Sequence, residues 1–97
     1  MSSLSFEWEP VKARTNLEKH NVSFEEAASA FLDERGRVIS DPDHRAEEGR
    51  QILLGMSRRW RLLVVCFRHR RRSEVIRIIS ARPATRRECR QYRAEWS

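Results

Sequence analysis

Leu62 to Phe67 is an unbroken apolar run inside a stretch otherwise crowded with arginine. Such a run suits a central strand buried on both faces. Gln51–Ser57 reads as the strand before it, with Arg58-Arg59-Trp60 as the connecting tip. Arg61–Arg68 is the central strand itself, and Arg68–Ser73 is the next tip. Val75–Ala81 is the last strand. Connections this short imply antiparallel neighbours.

The first half supplies helices. Leu4–Trp8 reads as a short strand with Leu4, Phe6 and Trp8 on one face. Pro10 suits a first helical turn, where its missing N–H is not needed. That helix runs to about His20, with Val11, Ala13 and Leu17 as a weak apolar stripe. Asn21 tolerates the left-handed turn that follows. Ser23 and Glu26 form a capping box, and Phe24, Ala27, Ala28 and Phe31 then fall at helical spacing. Gly36 stops this second helix. Arg37–Ser40 is a further short strand, closed by the Asp41-Pro42-Asp43 turn. Near the C-terminus Thr85 and Glu88 form a second capping box, ahead of Cys89, Tyr92 and Trp96 on one helix face. The order is β-α-α-β-β-β-(β)-α. It predicts an α+β fold, with the helices packed on one face of a mainly antiparallel sheet.

At 97 residues the chain suits one domain, residues 1–97. Hydrophobic residues make up 39% and charged residues 35%, and the apolar ones are grouped into segments, so the chain folds. Twenty Lys and Arg against 14 Asp and Glu leave a net charge of +6. The excess favours a polyanionic partner, though a solvated surface accounts for it equally well. Most of the bases are Arg, which grips phosphate bidentately, and residues 50–93 hold most of those. Cys66 and Cys89 lie in no metal or redox spacing and read as small core residues. No apolar run approaches membrane-spanning length, so a soluble, cytoplasmic protein with no membrane contact is expected.

Phe6-Glu7-Trp8-Glu9-Pro10, followed by Lys12-Ala13, Asn16, Lys19-His20 and Val22-Ser23-Phe24-Glu25-Glu26-Ala27, resembles the opening of BrnT toxins. Ile76-Arg77-Ile78-Ile79-Ser80-Ala81-Arg82, then Ala84-Thr85-Arg86-Arg87-Glu88 and Tyr92, resembles their closing segment. Gly55 and Ser57 match the middle hairpin. The chain departs from the family at Asn21 and Trp60, where glycine is common, and in its very basic tip before Val75. The resemblance implies a RelE-like fold and RNA cleavage that slows growth. It further implies neutralisation by a BrnA-like antitoxin with a ribbon-helix-helix domain, through which the complex binds operator DNA. No cofactor is implied.

Metal-free RNA cleavage turns the 2′-hydroxyl on the adjacent phosphate, and needs a base, an acid and positive charge on the phosphorane. Arg82, between the last strand and the third helix, either seats a phosphate with Arg86 at that helix N-terminus or pairs with a nearby Glu. Arg77, set among apolar strand residues, is either a cleft-facing phosphate ligand or a member of a structural ion pair with a helix carboxylate, and Arg61 is a similar case. Arg77 is expected to share its face with Val75, Ile79 and Ala81. The family tends to carry His and Glu where His44, Glu47 and Glu48 stand, so Glu48 is the preferred base; a solvated loop carboxylate is the plainer reading. Lys12 and Asn16 share a helix face which, with Lys19, either lines an RNA cleft or is ordinary surface. His69 lies in a basic tip able to track RNA backbone. Trp8, Phe24, Phe31 and Tyr92 read as core. Trp60 is the exposed aromatic, placed to stack on a base or anchor the antitoxin. A non-catalytic RNA- or DNA-binding module and a protein-interaction domain remain the alternatives to a nuclease.

Overall fold

The computed structural model describes residues 4–40, 49–69 and 74–94. Its elements are β1 (Ser5–Glu7), α1 (Pro10–His20), α2 (Phe24–Ser29, continued by a 3-10 turn over Ala30–Leu32), β2 (Arg37–Ser40), β3 (Arg50–Met56), β4 (Leu62–His69), β5 (Val75–Pro83) and α3 (Arg86–Ala94). The five strands form one sheet in the order β1-β5-β4-β3-β2. Three pairings are antiparallel; β1 lies parallel to β5, because α1 and α2 intervene between it and the hairpins. The apolar run of β4 is central, as its composition requires.

Local chemistry sets the helix boundaries. The Glu9 carboxylate accepts from the N–H groups of Val11 and Lys12 at 3.1 and 2.9 Å, and Asn21 closes α1 in the left-handed conformation at φ 57°. Ser23 Oγ accepts from the Glu26 N–H at 3.0 Å. At α3 the capping box is reciprocal: Thr85 N–H donates to Glu88 at 2.8 Å, and Glu88 N–H to Thr85 Oγ1 at 3.2 Å.

Side-chain alternation divides the sheet into two faces. Leu53, Leu63, Val65, Phe67, Ile76 and Ile78 pack against Val22, Phe24, Ala27 and Ala30 from the α2 side. Phe31 wedges between Phe6 and Phe67, with ring centroids 5.3 and 4.9 Å away. Gly55 lies under this layer: a Cβ there would meet the Ala30 carbonyl oxygen at 2.9 Å, so any side chain would lift the 3-10 turn off the sheet. The other face of the same strands presents Leu54 and Val64, which Tyr92 of α3 covers. The third helix therefore sits opposite the first two, not beside them as the sequence suggested. A helix entering straight from β5 at Pro83 can swing to either face, and its apolar stripe does not say which.

The stripe assigned to α1 is also corrected. Val11 and Leu17 are 58% and 47% exposed, whereas Asn16 is buried. Its amide donates to the Ala81 carbonyl at 2.8 Å and accepts from the Ala81 N–H at 3.0 Å, with a second donation to Val22 O at 2.9 Å. Since β1 stops beside Arg77, the side chain of Asn16 supplies the pairing that a longer β1 would have given β5. Asn16 is thus held inward by backbone groups, only 6% exposed, in place of the open helix face it was expected to share with Lys12. Leu4 lies outside β1 and is exposed; Phe6 and Trp8 pack on the core. Cys66 and Cys89 are both half-buried free thiols.

Candidate functional site

The geometry of β5 decides which arginines can act together. Ser80 stands opposite Cys66 and Ile78 opposite Phe67, so Ile79 is an extra residue, a β-bulge. Five positions separate Arg77 from Arg82 in sequence, a spacing that in a regular strand puts them on opposite faces. The bulge restores them to the same one. Arg82 lies opposite Val64, and Arg77 opposite Arg68, all on the α3 side. The expected grouping of Arg77 with Ala81 is therefore wrong: Ala81 packs into the core on the opposite face.

Counting outward from the β3–β4 tip extends this set. Arg50 is opposite Arg68, and Glu7 opposite Arg77. Glu7, Arg77, Arg68 and Arg50 thus make a transverse row across four adjacent strands. The Arg50 Nε is buried without a hydrogen-bond partner among the described residues. Arg50 and Arg68 escaped the sequence reading. Their register was nonetheless countable from the tip, since Ser57 N–H bonds to Arg61 O at 2.8 Å.

Arg82 is held bidentately. Its Nη1 and Nη2 each donate to the Glu88 carboxylate at 2.9 Å, and Nη1 also donates to Pro83 O at 3.2 Å. Those bonds use three of a guanidinium's five donors, and the side chain is 41% exposed. The Arg82 guanidinium, helped by the Thr85 N–H, pulls the Glu88 carboxyl down to about 2, and Glu88 in turn raises Arg82. Arg77 Nη1 donates to Glu7 at 2.8 Å, with both side chains about 40% exposed. Each of these arginines carries a carboxylate, Arg82 that of a nearby Glu as the plainer sequence alternative held, and Arg77 that of Glu7 on β1 and not of a helix residue.

Arg61 leaves the set. It precedes β4 on the α2 side, where its Nε donates to Glu26 Oε2 at 2.9 Å and its Nη2 bonds both Glu26 Oε1 and Asn21 O. Glu26 is 2% exposed, and Ser57 Oγ donates to it at 2.7 Å. The Arg61 bond holds its carboxyl below the usual range against the opposing effect of burial. The sequence shows only the capping role of Glu26 and leaves Arg61 open between a cleft ligand and a structural ion pair; the structure makes it the ion pair and removes it from the catalytic candidates. The arrangement is a structural lock on the hairpin tip.

Lys12 and Lys19 are exposed on α1 and, with His20, Ile79 and Ser80, border a hollow of about 310 Å³ along β5. Arg86 is exposed in the first turn of α3, and His69 is exposed at the end of β4. His44, Glu47 and Glu48 lie outside the described residues; Ser40 and Gly49, which flank that stretch, stand at the arginine-row end of the sheet. Among the described residues no three His, Cys, Asp or Glu side chains gather so as to hold a metal ion, and no helix is long and apolar enough to cross a membrane.

A family model described as "Ribonuclease toxin, BrnT, of type II toxin-antitoxin system" matches residues 8–88. The crystal structure of the Brucella abortus ribonuclease toxin BrnT superposes with a TM-score of 0.61 at 24% identity, over 87% of this chain and all of that one. Among curated proteins none matches.

Proposed function

The chain belongs to the BrnT family of ribonuclease toxins of type II toxin–antitoxin systems, and on that premise we propose that it cleaves RNA without a metal ion on the α3-side face of the sheet. The observation that carries this reading is the Ile79 bulge, which collects Arg77 and Arg82 on one face with Arg68 and Arg50. Guanidinium charge there would stabilise the phosphorane formed when a 2′-hydroxyl attacks the neighbouring phosphate. Glu48, two positions before Arg50 in sequence, would accept the 2′-hydroxyl proton, and His44 would protonate the departing 5′-oxygen. The products are a 2′,3′-cyclic phosphate and a 5′-hydroxyl. Lys12, Lys19, His69 and Arg86 would hold flanking phosphates by charge. The carboxylates on Arg82 and Arg77 would orient these side chains until RNA arrives.

The reading includes a RelE-like toxin acting in the cytoplasm to slow growth. A BrnA-like ribbon-helix-helix antitoxin would neutralise it, and the complex would bind operator DNA through the antitoxin. The test is incubation of the purified protein with RNA in EDTA, with and without the co-purified antitoxin. Cleavage that survives chelation and stops with the antitoxin supports the reading, and cleavage abolished by chelation overturns its metal-free part. A non-catalytic RNA- or DNA-binding module is the second reading, favoured by the carboxylate already on Arg77 and on Arg82; salt-sensitive binding without cleavage would establish it.

A further inference from the structure

The β3–β4 tip holds Trp60 at φ 62°, third in a three-residue loop, with its N–H bonded to Ser57 O at 2.9 Å. That position of such a loop suits glycine, and a bulky side chain is strained there. The side chain gains no burial in return, being 85% exposed. The loop is nonetheless pinned, through Ser57 and Arg61, to the buried Glu26. A strained aromatic, presented to solvent by a rigid support, marks a contact surface.

Beside it lies a hollow of about 480 Å³. Trp60 and Leu32, itself 80% exposed, border it, and Met56 and Tyr92 line it further. Its hydroxyl groups and the Asp33 carboxylate are already engaged. Asp33 accepts from the Tyr92 hydroxyl at 2.6 Å and the Met56 N–H at 2.8 Å, Ser57 bonds Glu26, and Ser29 Oγ takes the Arg58 N–H at 3.0 Å. A nucleobase edge entering this hollow would find donors only from arginine, leaving its own donors unpaired, whereas an apolar side chain gives up no hydrogen bond. Around it the charge is positive: Arg58 lines the hollow, and the neighbouring Arg59 side chain is 70% exposed. The hollow lies at the opposite end of the β3–β4 hairpin from Arg50 and Arg68.

We propose that this hollow seats the antitoxin, through an acidic segment that inserts a leucine- or phenylalanine-sized side chain beside Trp60 and sets carboxylates against Arg58 and Arg59. The assignment rests on the toxin reading above, which supplies the partner.

Trp60→Gly separates docking from folding, because glycine relieves the positive φ. Calorimetric titration of the variant with the co-purified antitoxin, released and refolded, is expected to show affinity weakened about 30-fold or more. The melting temperature should hold or rise, and RNA cleavage by the free variant should be unchanged. Leu32→Ser should weaken the complex about tenfold, and the Arg58→Glu, Arg59→Glu pair should flatten its salt dependence. Unchanged antitoxin affinity in Trp60→Gly overturns the assignment while leaving the toxin reading intact. Intact antitoxin affinity with lost RNA binding hands the surface to RNA and also overturns it. A wild-type protein that neither cuts RNA nor forms the complex removes both.

Discussion

Two Arg–Glu pairs of the same chemistry stand on opposite faces of one sheet. Arg61 meets Glu26 beneath α2, where the carboxylate is 2% exposed and also bonded to Ser57. Arg82 meets Glu88 on the α3 face, where the arginine is 41% and the glutamate 25% exposed. The difference teaches what an ion pair is for. In the first, removing the cation strands a charge in the interior. In the second, the guanidinium retains donors and solvent access, so a phosphate can be added to the pair or exchanged for its carboxylate.

The sharpest break of this comparison is Arg82→Ala. RNA cleavage is expected to fall by about 10²-fold or more in single-turnover assays, far beyond the few degrees of melting temperature that loss of the Glu88 pair costs. Full activity in a folded variant would place the chemistry elsewhere. Arg61→Ala should do the reverse. Urea unfolding is expected to show a loss of about 3 kcal/mol, because the buried Glu26 keeps only the Ser57 hydroxyl and the more distant Arg59 at 4.0 Å, while cleavage per folded molecule stays near wild type.

Acid sharpens the contrast more gently. Glu88 titrates near 2 in the folded chain, depressed from an ordinary 4.5. A depressed carboxylate contributes stability above its unfolded value and loses it as pH falls toward the folded one. About 1–2 kcal/mol should therefore vanish between about pH 5 and 2, given the solvent screening at this pair. Glu88→Gln should remove that part of the slope in pH-dependent denaturation. The smallest effect is expected of the same variant with RNA. Binding should tighten about two- to fivefold, as the carboxylate competing for Arg82 disappears, and slower cleavage would report Arg82 losing its orientation.

Much of this was legible in residue order. The apolar run fixed the central strand, and Thr85 with Glu88 marked the start of α3. Asn21 announced its left-handed turn, and Trp8, Phe24 and Phe31 declared themselves core. What stayed hidden depended on an interruption of period. Nothing in Ile78-Ile79-Ser80 signals a bulge, so regular alternation groups Arg77 with Ala81 and parts it from Arg82. The polar character of Asn16 disguised a buried residue whose partners are backbone groups six and 65 positions away. Glu26 fits the capping-box pattern, but only its backbone N–H bonds Ser23; its carboxylate turns inward to Ser57 and Arg61, which nothing in the residue order signals. Arg50 and Arg68, by contrast, were reachable by counting from the hairpin tip.

Asn16 has a consequence for how the molecule behaves in company. Unsatisfied strand margins invite neighbouring chains to zip on, and β5 beyond Arg77 would be such a margin. One carboxamide, braced on α1, occupies the docking groups of Ala81 that a stranger would use. A helix side chain thereby closes that stretch of the border to strand addition.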